Sequence, residues 1–159
     1  TTEQRYREVI LRKTATLFEA GARLGGIVSA AGPAIEDALA AYGLHLGMAF
    51  QMIDDALDYG ASDSDIGKNL GDDLAEGKPT LPLIRALQTA TGATRRMLED
   101  VIRNGGAERI DEVLSAIESA DAIAYTARLA KDAAMQAKQA LAPLPATTFR
   151  DALAALRAD

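Results

Sequence analysis

Apolar residues recur along this chain at spacings of three, four and seven, and no run of β-branched alternation is long enough to suggest a sheet. The pattern predicts an all-α protein. In the first segment Tyr6, Ile10, Leu17, Leu24 and Val28 trace one apolar stripe, which predicts a helix from about Glu3 to Ala30. Gly32-Pro33 ends that run. Pro33 suits the first position of a second helix reaching to about Tyr59, where Gly60 is expected to supply a left-handed cap. Later helices are expected near 81–91, 93–104, 107–119 and 121–142, with Gly105-Gly106 as a stop and a short helix after Pro145. Residues 60–79, GASDSDIGKNLGDDLAEGKP, form a polar, glycine-rich connection of about 20 residues. Loops of that length tend to be functional, so this one is expected to be.

Composition narrows the class. With 159 residues, 48% hydrophobic and 25% charged, the chain has enough apolar material for a sizeable core and is expected to form one domain over 1–159. No stretch approaches the roughly 18 apolar residues of a membrane span, and no leader-like pattern opens the chain, so an integral membrane protein is not expected and the cytoplasm is the expected compartment. The absence of cysteine excludes disulfides and thiolate metal sites, leaving carboxylates and His45 as candidate ligands. A net charge of −6 argues against a nucleic-acid partner. A small anionic ligand remains possible if local cations, or a metal bridging carboxylates to the ligand, receive it.

The second helix carries FQMIDDALDY over residues 50–59. At 100° per residue Gln51, Asp54, Asp55 and Asp58 fall within an arc of roughly 100°, and Gly43 and Gly47 share that face, which is expected to leave space beside the backbone. Carboxylates about 5–6 Å apart repel by roughly 1 kcal/mol per pair in water and about 3 at an effective dielectric of about 20. A hard divalent cation such as Mg²⁺ relieves that repulsion, because it takes oxygen ligands and is commonly shared between carboxylates and phosphates. A solvated acidic patch is the plainer alternative, but the preceding LGMAFQMI is almost wholly apolar, which points the face toward a cavity or a buried interface. The following loop is not an EF-hand: Asp63 and Asp65 match the first two ligand positions, but Gly67 and Leu74 occupy positions that need oxygen donors.

Candidate cations lie on both sides. Lys13 interrupts the stripe of the first helix, where a buried lysine requires an anion, and Thr14 beside it offers a hydroxyl. A lysine that snorkels to solvent, or pairs with an aspartate, is the other reading of the same spacing. The loop holds two Gly-Lys pairs, Gly67-Lys68 and Gly77-Lys78, in which glycine permits close backbone approach and lysine brings a point charge. Neither fits the phosphate loop of nucleotide hydrolases. A lone histidine such as His45 is more often packing than chemistry.

These residues together resemble a known family. GMAFQMIDDALDY followed by IGKNLGDDLAEGKPTLPLI resembles the second aspartate-rich region of trans-polyprenyl diphosphate synthases, and YREVILRKTATLF resembles the lysine-threonine segment upstream of it. The spacing between these motifs and the later YTARLAKDAAMQAKQAL segment resemble the long-chain octaprenyl and decaprenyl branch, and the likeness covers essentially the whole chain. It implies the C-terminal portion of a helical bundle of the isoprenoid synthase type, Mg²⁺ as cofactor and a homodimer. It further implies a prenyltransferase that condenses isopentenyl diphosphate with an allylic diphosphate in isoprenoid and quinone side-chain biosynthesis. In this family the allylic diphosphate ionises, the double bond of isopentenyl diphosphate attacks the cation, and the departing diphosphate takes the proton. Carried over residue by residue, the resemblance implies that Asp54 coordinates Mg²⁺ directly, with Asp55 and Asp58 completing the acidic site. It also implies that Lys13, Thr14, Gln51 and Lys68 hold the allylic diphosphate, that Phe50 lies near isopentenyl diphosphate, and that Asp72 and Lys78 support the metal and phosphate shell.

The sequence departs from the family in one large respect. The family's first aspartate-rich motif, its paired arginines and most of its isopentenyl diphosphate site are not found among these 159 residues, so catalysis by this chain alone is not expected. A non-catalytic helical subunit or regulatory domain that kept the second motif, or a class I terpene cyclase, would share part of the pattern.

Overall fold

The computed structural model describes residues 1–60, 72–75 and 78–156, and among them the secondary structure is helical, as the periodicity implies. Among the described residues, nine α-helices follow in chain order: α1 Glu3–Ile10, α2 Thr16–Val28, α3 Pro33–Gly60, α4 Asp72–Ala75, α5 Leu81–Thr89, α6 Gly92–Asn104, α7 Ile110–Ser119, α8 Ala122–Ala140 and α9 Thr148–Ala155. A single π turn over Leu11–Ala15 joins α1 to α2, and a short 3₁₀ turn at Ala107–Arg109 leads into α7.

The π turn revises the expected stripe. The Thr16 backbone N–H reaches back to the Leu11 carbonyl, and the Thr16 hydroxyl donates to the same oxygen at 2.9 Å. A π turn inserts one extra residue and so rotates everything downstream by about 100° relative to a continuous α-helix. Tyr6 and Ile10, before it, are buried as expected. After it the inward positions move on by one or two residues, to Ala15, Phe18, Ala22 and Gly26. Leu17 and Val28, expected inside, are 74% and 86% exposed, and Leu24 is exposed as well. Lys13 falls within the π turn and is exposed too, so the buried lysine suggested by the stripe is replaced by one that reaches solvent.

The stop signals hold in two places and fail in a third. Ala30 and Gly32 take left-handed φ values of 51° and 85° and turn the chain into α3, whose first residue is Pro33. Gly105, at φ 80°, ends α6. Gly60 is not among the left-handed glycines; it is the last residue of α3 and remains helical. Within the connection expected to be irregular, Asp72–Ala75 form the short helix α4.

The chain divides into two units, one of residues 1–7 and 54–128, the other of 8–53 and 129–159. In the first, Leu83 and Ala86 of α5, Met97, Leu98 and Val101 of α6, and Val113, Ala116 and Ile117 of α7 form a core joined by Tyr59, Leu74 and Ala122. Each fully buried aliphatic side chain of this kind contributes about 1.5–3 kcal/mol. In the second unit Tyr42, Ala137 and Leu141 pack with Leu39, Leu46 and Leu153, and the Tyr42 hydroxyl donates to the Leu153 carbonyl at 3.0 Å, tying α9 to α3.

Also in the second unit, Gly43 and Gly47 set how closely α3 meets the segment before it. A Cβ added at Gly43 would lie 2.4 Å from the Phe18 carbonyl oxygen, and one at Gly47 would lie 2.7 Å from the Ala15 Cα. The space expected beside these glycines is therefore filled by the backbone of a neighbouring helix.

Two glycine-to-alanine changes should move stability in opposite directions. Alanine gains about 1 kcal/mol of helix propensity at any helix interior. At Gly25, where nothing lies within 4 Å of an added Cβ, that gain should appear as a raised unfolding midpoint. At Gly43 the added methyl meets backbone, and overpacking of about 1–3 kcal/mol or more should outweigh it. Thermal or urea unfolding followed by circular dichroism distinguishes the two; a stabilising Gly43→Ala would show that α2 shifts freely.

Candidate functional site in the acidic segment of α3

α3 is one unbroken helix of 28 residues, about 42 Å long, whose C-terminal third carries the acidic segment. Asp55 and Asp58 are 3% and 7% exposed, whereas Asp54 is half-buried. Burying a carboxylate is costly unless hydrogen bonds replace its water. For Asp55 one replacement comes from α1: the Tyr6 hydroxyl donates to Asp55 Oδ2 at 2.7 Å, in a contact buried on both sides. Hydrogen bonds to charged groups of this kind contribute about 1.5–3 kcal/mol. For Asp58 one comes from α4, where the Asp73 backbone N–H donates to Asp58 Oδ2 at 3.4 Å.

Asp73 is itself held from the other side. The Lys78 backbone N–H donates to the Asp73 carbonyl at 2.8 Å, and Lys78 Nζ lies 3.3 Å from Asp73 Oδ1. Lys78, expected to support a phosphate shell, thus pairs with Asp73 of α4. Nearby in the same unit, the Tyr125 hydroxyl donates to Glu3 Oε2 at 2.8 Å, and the Arg85 guanidinium stacks 4.5 Å above the Tyr125 ring.

The second unit holds other expected site residues. The Thr14 hydroxyl, presented by the π turn, donates to Gln51 Oε1 at 2.8 Å. That bond turns the amide nitrogen of Gln51, a donor, away from Thr14. Phe50 is 52% exposed and stacks on Phe18 with ring centroids 5.5 Å apart. Lys13 is exposed and His45 is half-buried. Lys68, with Gly67 and Gly77, lies outside the described residues; Asp72 is the first residue of α4, and its side chain lies outside them as well.

Two residues that matter here are absent from the sequence-derived set. Tyr6 reads as one more core position, since nothing in its spacing marks a hydroxyl that meets an aspartate of α3. Asp73 is overshadowed in sequence by its neighbour Asp72, since nothing in GDDL shows which aspartate's backbone faces α3.

A polyprenyl synthetase family model matches residues 1–120. The chain belongs to that family. It is 44% identical over 156 residues to the octaprenyl diphosphate synthase of Escherichia coli (strain K12), an alignment covering 98% of this chain and 48% of that protein. The crystal structure of a decaprenyl diphosphate synthase from Rhodobacter capsulatus superposes with a TM-score of 0.88 at 38% identity, over 97% of this chain and 48% of that one. A polyprenyl synthase from Caulobacter crescentus CB15, complexed with calcium and isoprenyl diphosphate, superposes with a TM-score of 0.90 at 39% identity, over 96% and 47%. The chain therefore spans about half the length of the relatives it matches. Isoprenyl diphosphate synthases are all-α, which agrees with the helical fold, and members of the family use divalent metal ions.

The donor set suits such an ion in a particular way. Among the described residues no three carboxylate or imidazole groups gather around one point as a ready-made cage. The donors of the acidic segment are all oxygens, and two of the three are withdrawn into the protein. A hard cation held by one or two carboxylates and completed by ligand oxygens and water fits this arrangement.

The same burial makes the unit sensitive to alkali. Burial raises the Tyr6 and Tyr59 hydroxyls above their ordinary value of 10.0, and the neighbouring Asp55 charge raises Tyr6 further. The folded state then keeps these protons at a pH where the unfolded chain releases them. Stability present below about pH 10 should be lost above it, by about 1.4 kcal/mol per pH unit for each tyrosine. Urea unfolding at pH 9, 10 and 11 measures the slope; Tyr59→Phe should make it shallower, and an unchanged slope would show that Tyr59 ionises freely in the fold.

Proposed function

We propose that this chain forms the second aspartate-rich wall of a long-chain trans-prenyltransferase, a polyprenyl diphosphate synthase that condenses isopentenyl diphosphate with an allylic diphosphate. The observation that carries this reading is the acidic turn of α3. Asp55 and Asp58 are buried beside half-buried Asp54, in a segment that resembles the family's second aspartate-rich motif. A protein that needed α3 only for packing would have apolar residues there, at lower cost.

The proposed roles follow from the chemistry of each group. Ionisation breaks the allylic carbon–oxygen bond and leaves the electron pair on diphosphate, so catalysis requires positive charge and hydrogen-bond donors aimed at the leaving oxygens. Mg²⁺ bound through Asp54, with Asp55, Asp58 and Asp72 in support, would supply most of that charge. Exposed Lys13 is available for phosphate oxygen, and Lys68 is assigned the same task on its place in the motif. Gln51, whose amide oxygen accepts from the Thr14 hydroxyl, is assigned to the diphosphate on its place in the motif. Phe50 offers an apolar face beside the isopentenyl group, and Lys78 supports the shell through Asp73.

We assign the whole enzyme to the cytoplasm and to a homodimer. Among the described residues no helix is long and apolar enough to cross a membrane. Exposed Leu17, Leu24, Ile27 and Val28 on α2 are apolar surface of the kind that association covers. Light scattering of the purified chain should show self-association, and a monodisperse monomer across the micromolar range would count against it.

Binding and turnover test the reading separately. Calorimetry should show diphosphate binding in Mg²⁺ and none in EDTA. Asp54→Ala should weaken it by at least about tenfold, more than Asp58→Ala, since loss of a supporting group alone commonly costs 10–100-fold in metal affinity. Equal losses would indicate a diffuse field rather than one direct ligand. Residues 1–159 alone should give no detectable condensation of farnesyl or geranyl diphosphate with isopentenyl diphosphate, because the first aspartate-rich motif is not in the sequence. Removing one preorganised electrostatic partner already costs about 10²–10³ in rate. Radiolabelled polyprenyl product formed by the chain alone, within tenfold of a full-length relative, would show that two copies complete the site.

A further inference from the structure

The aspartates of α3 do not share one environment, and the Tyr6 hydroxyl is one source of the difference. The Tyr6 ring is 4% exposed and its hydroxyl donates to Asp55 Oδ2 at 2.7 Å, 49 residues away in sequence. We propose that Tyr6 is a positioning residue for the acidic site: its hydrogen bond fixes the Asp55 carboxylate in the orientation from which it serves a bound divalent cation. This rests on the proposed prenyltransferase reading and assigns a role to a residue outside the motif.

Three physical points support it. A buried carboxylate without donors would neutralise itself or drag in water, and either would lower its value to a cation. A phenol supplies one such hydrogen bond without adding charge, whereas a lysine or arginine at the same place would cancel the charge the cation needs. The ring is also immobilised, so Oδ2 is held from one direction and the plane of the carboxylate is set; partners that orient a ligand group in this way typically tune metal affinity by 10–100-fold. The phenol sits in the first turns of α1, where Glu3 accepts both the Tyr125 hydroxyl and the Arg7 guanidinium, so the donor itself is anchored.

The experiment measures Mg²⁺-dependent binding of inorganic diphosphate by calorimetry, alongside circular dichroism and urea unfolding, on the wild-type chain and on Tyr6→Phe, Asp55→Asn and the double variant. Tyr6→Phe should keep the helical spectrum and lose about 10–100-fold in affinity. The double variant should bind no more weakly than Asp55→Asn alone, because both changes remove the same oriented carboxylate. That comparison also serves if Tyr6→Phe by itself fails to fold, since the double variant lacks the buried charge that the phenol satisfies. Affinity of Tyr6→Phe within twofold of wild type would overturn the proposal, and so would losses that multiply in the double variant. If the wild-type chain itself binds no diphosphate in Mg²⁺, the prenyltransferase reading fails and this inference with it, a result distinct from a failure confined to Tyr6.

Discussion

The constraint on which much of the structure depends is the burial of negative charge on an otherwise apolar helix. Asp55 and Asp58 are withdrawn from solvent on α3, and removing an ion from water costs several kcal/mol before anything is returned. What returns it is structure brought from distant points in the chain. The phenol of Tyr6 arrives from α1, and the backbone N–H of Asp73 arrives from α4. Neither contact is local, so the acidic segment can be formed only when the surrounding elements of its unit are in place. The short helix α4 makes sense in these terms, since it aims a backbone donor at Asp58 while Lys78 pairs with Asp73.

A second constraint acts in the other unit, where helices meet at backbone distance. Gly43 and Gly47 leave α3 without side chains where Ala15 and Phe18 press against it. Such an approach requires the opposing helix to present small or well-placed side chains in the correct rotation. The π turn at Leu11–Ala15 supplies that rotation. With one residue inserted, Ala15, Phe18, Ala22 and Gly26 face inward, and the same turn presents Thr14 to Gln51. The irregularity thus sets a packing register and a polar contact together.

The differing surroundings of the aspartates bear on chemistry as well as on folding. Three identical side chains on one helix would act as a diffuse acidic field if all were solvated. Here Asp54 is half-buried while Asp55 and Asp58 are each held by a donor from a different element, so orientation distinguishes groups that composition does not. Oxygen donors held in this manner suit a hard cation whose remaining ligands are water and the oxygens of a bound ligand. The family to which the chain belongs uses divalent cations, and that agreement links the local geometry to the proposed reaction.

Much of this was determined by sequence alone. The period of the apolar residues set the all-α class and the approximate bounds of the main helices, because a helical face must repeat every 3.6 residues whatever surrounds it. The order FQMIDDALDY with its following Gly-Lys pairs marked the family, because carboxylates and lysines in that order are hard to reach by chance. Tertiary structure decided the rest. Periodicity assumes an unbroken helix, so it placed Leu17, Leu24 and Val28 inside and could not register the one-residue shift of the π turn that leaves them exposed. Glycine on a helix face reads equally as open space or as close contact, and only the neighbouring backbone showed which applied at Gly43 and Gly47. The partners of the buried aspartates were beyond the reach of pattern for a related reason. A hydrogen bond across 49 residues leaves no spacing signature, and the choice of Asp73 over Asp72 depends on where a backbone N–H points once α4 has formed.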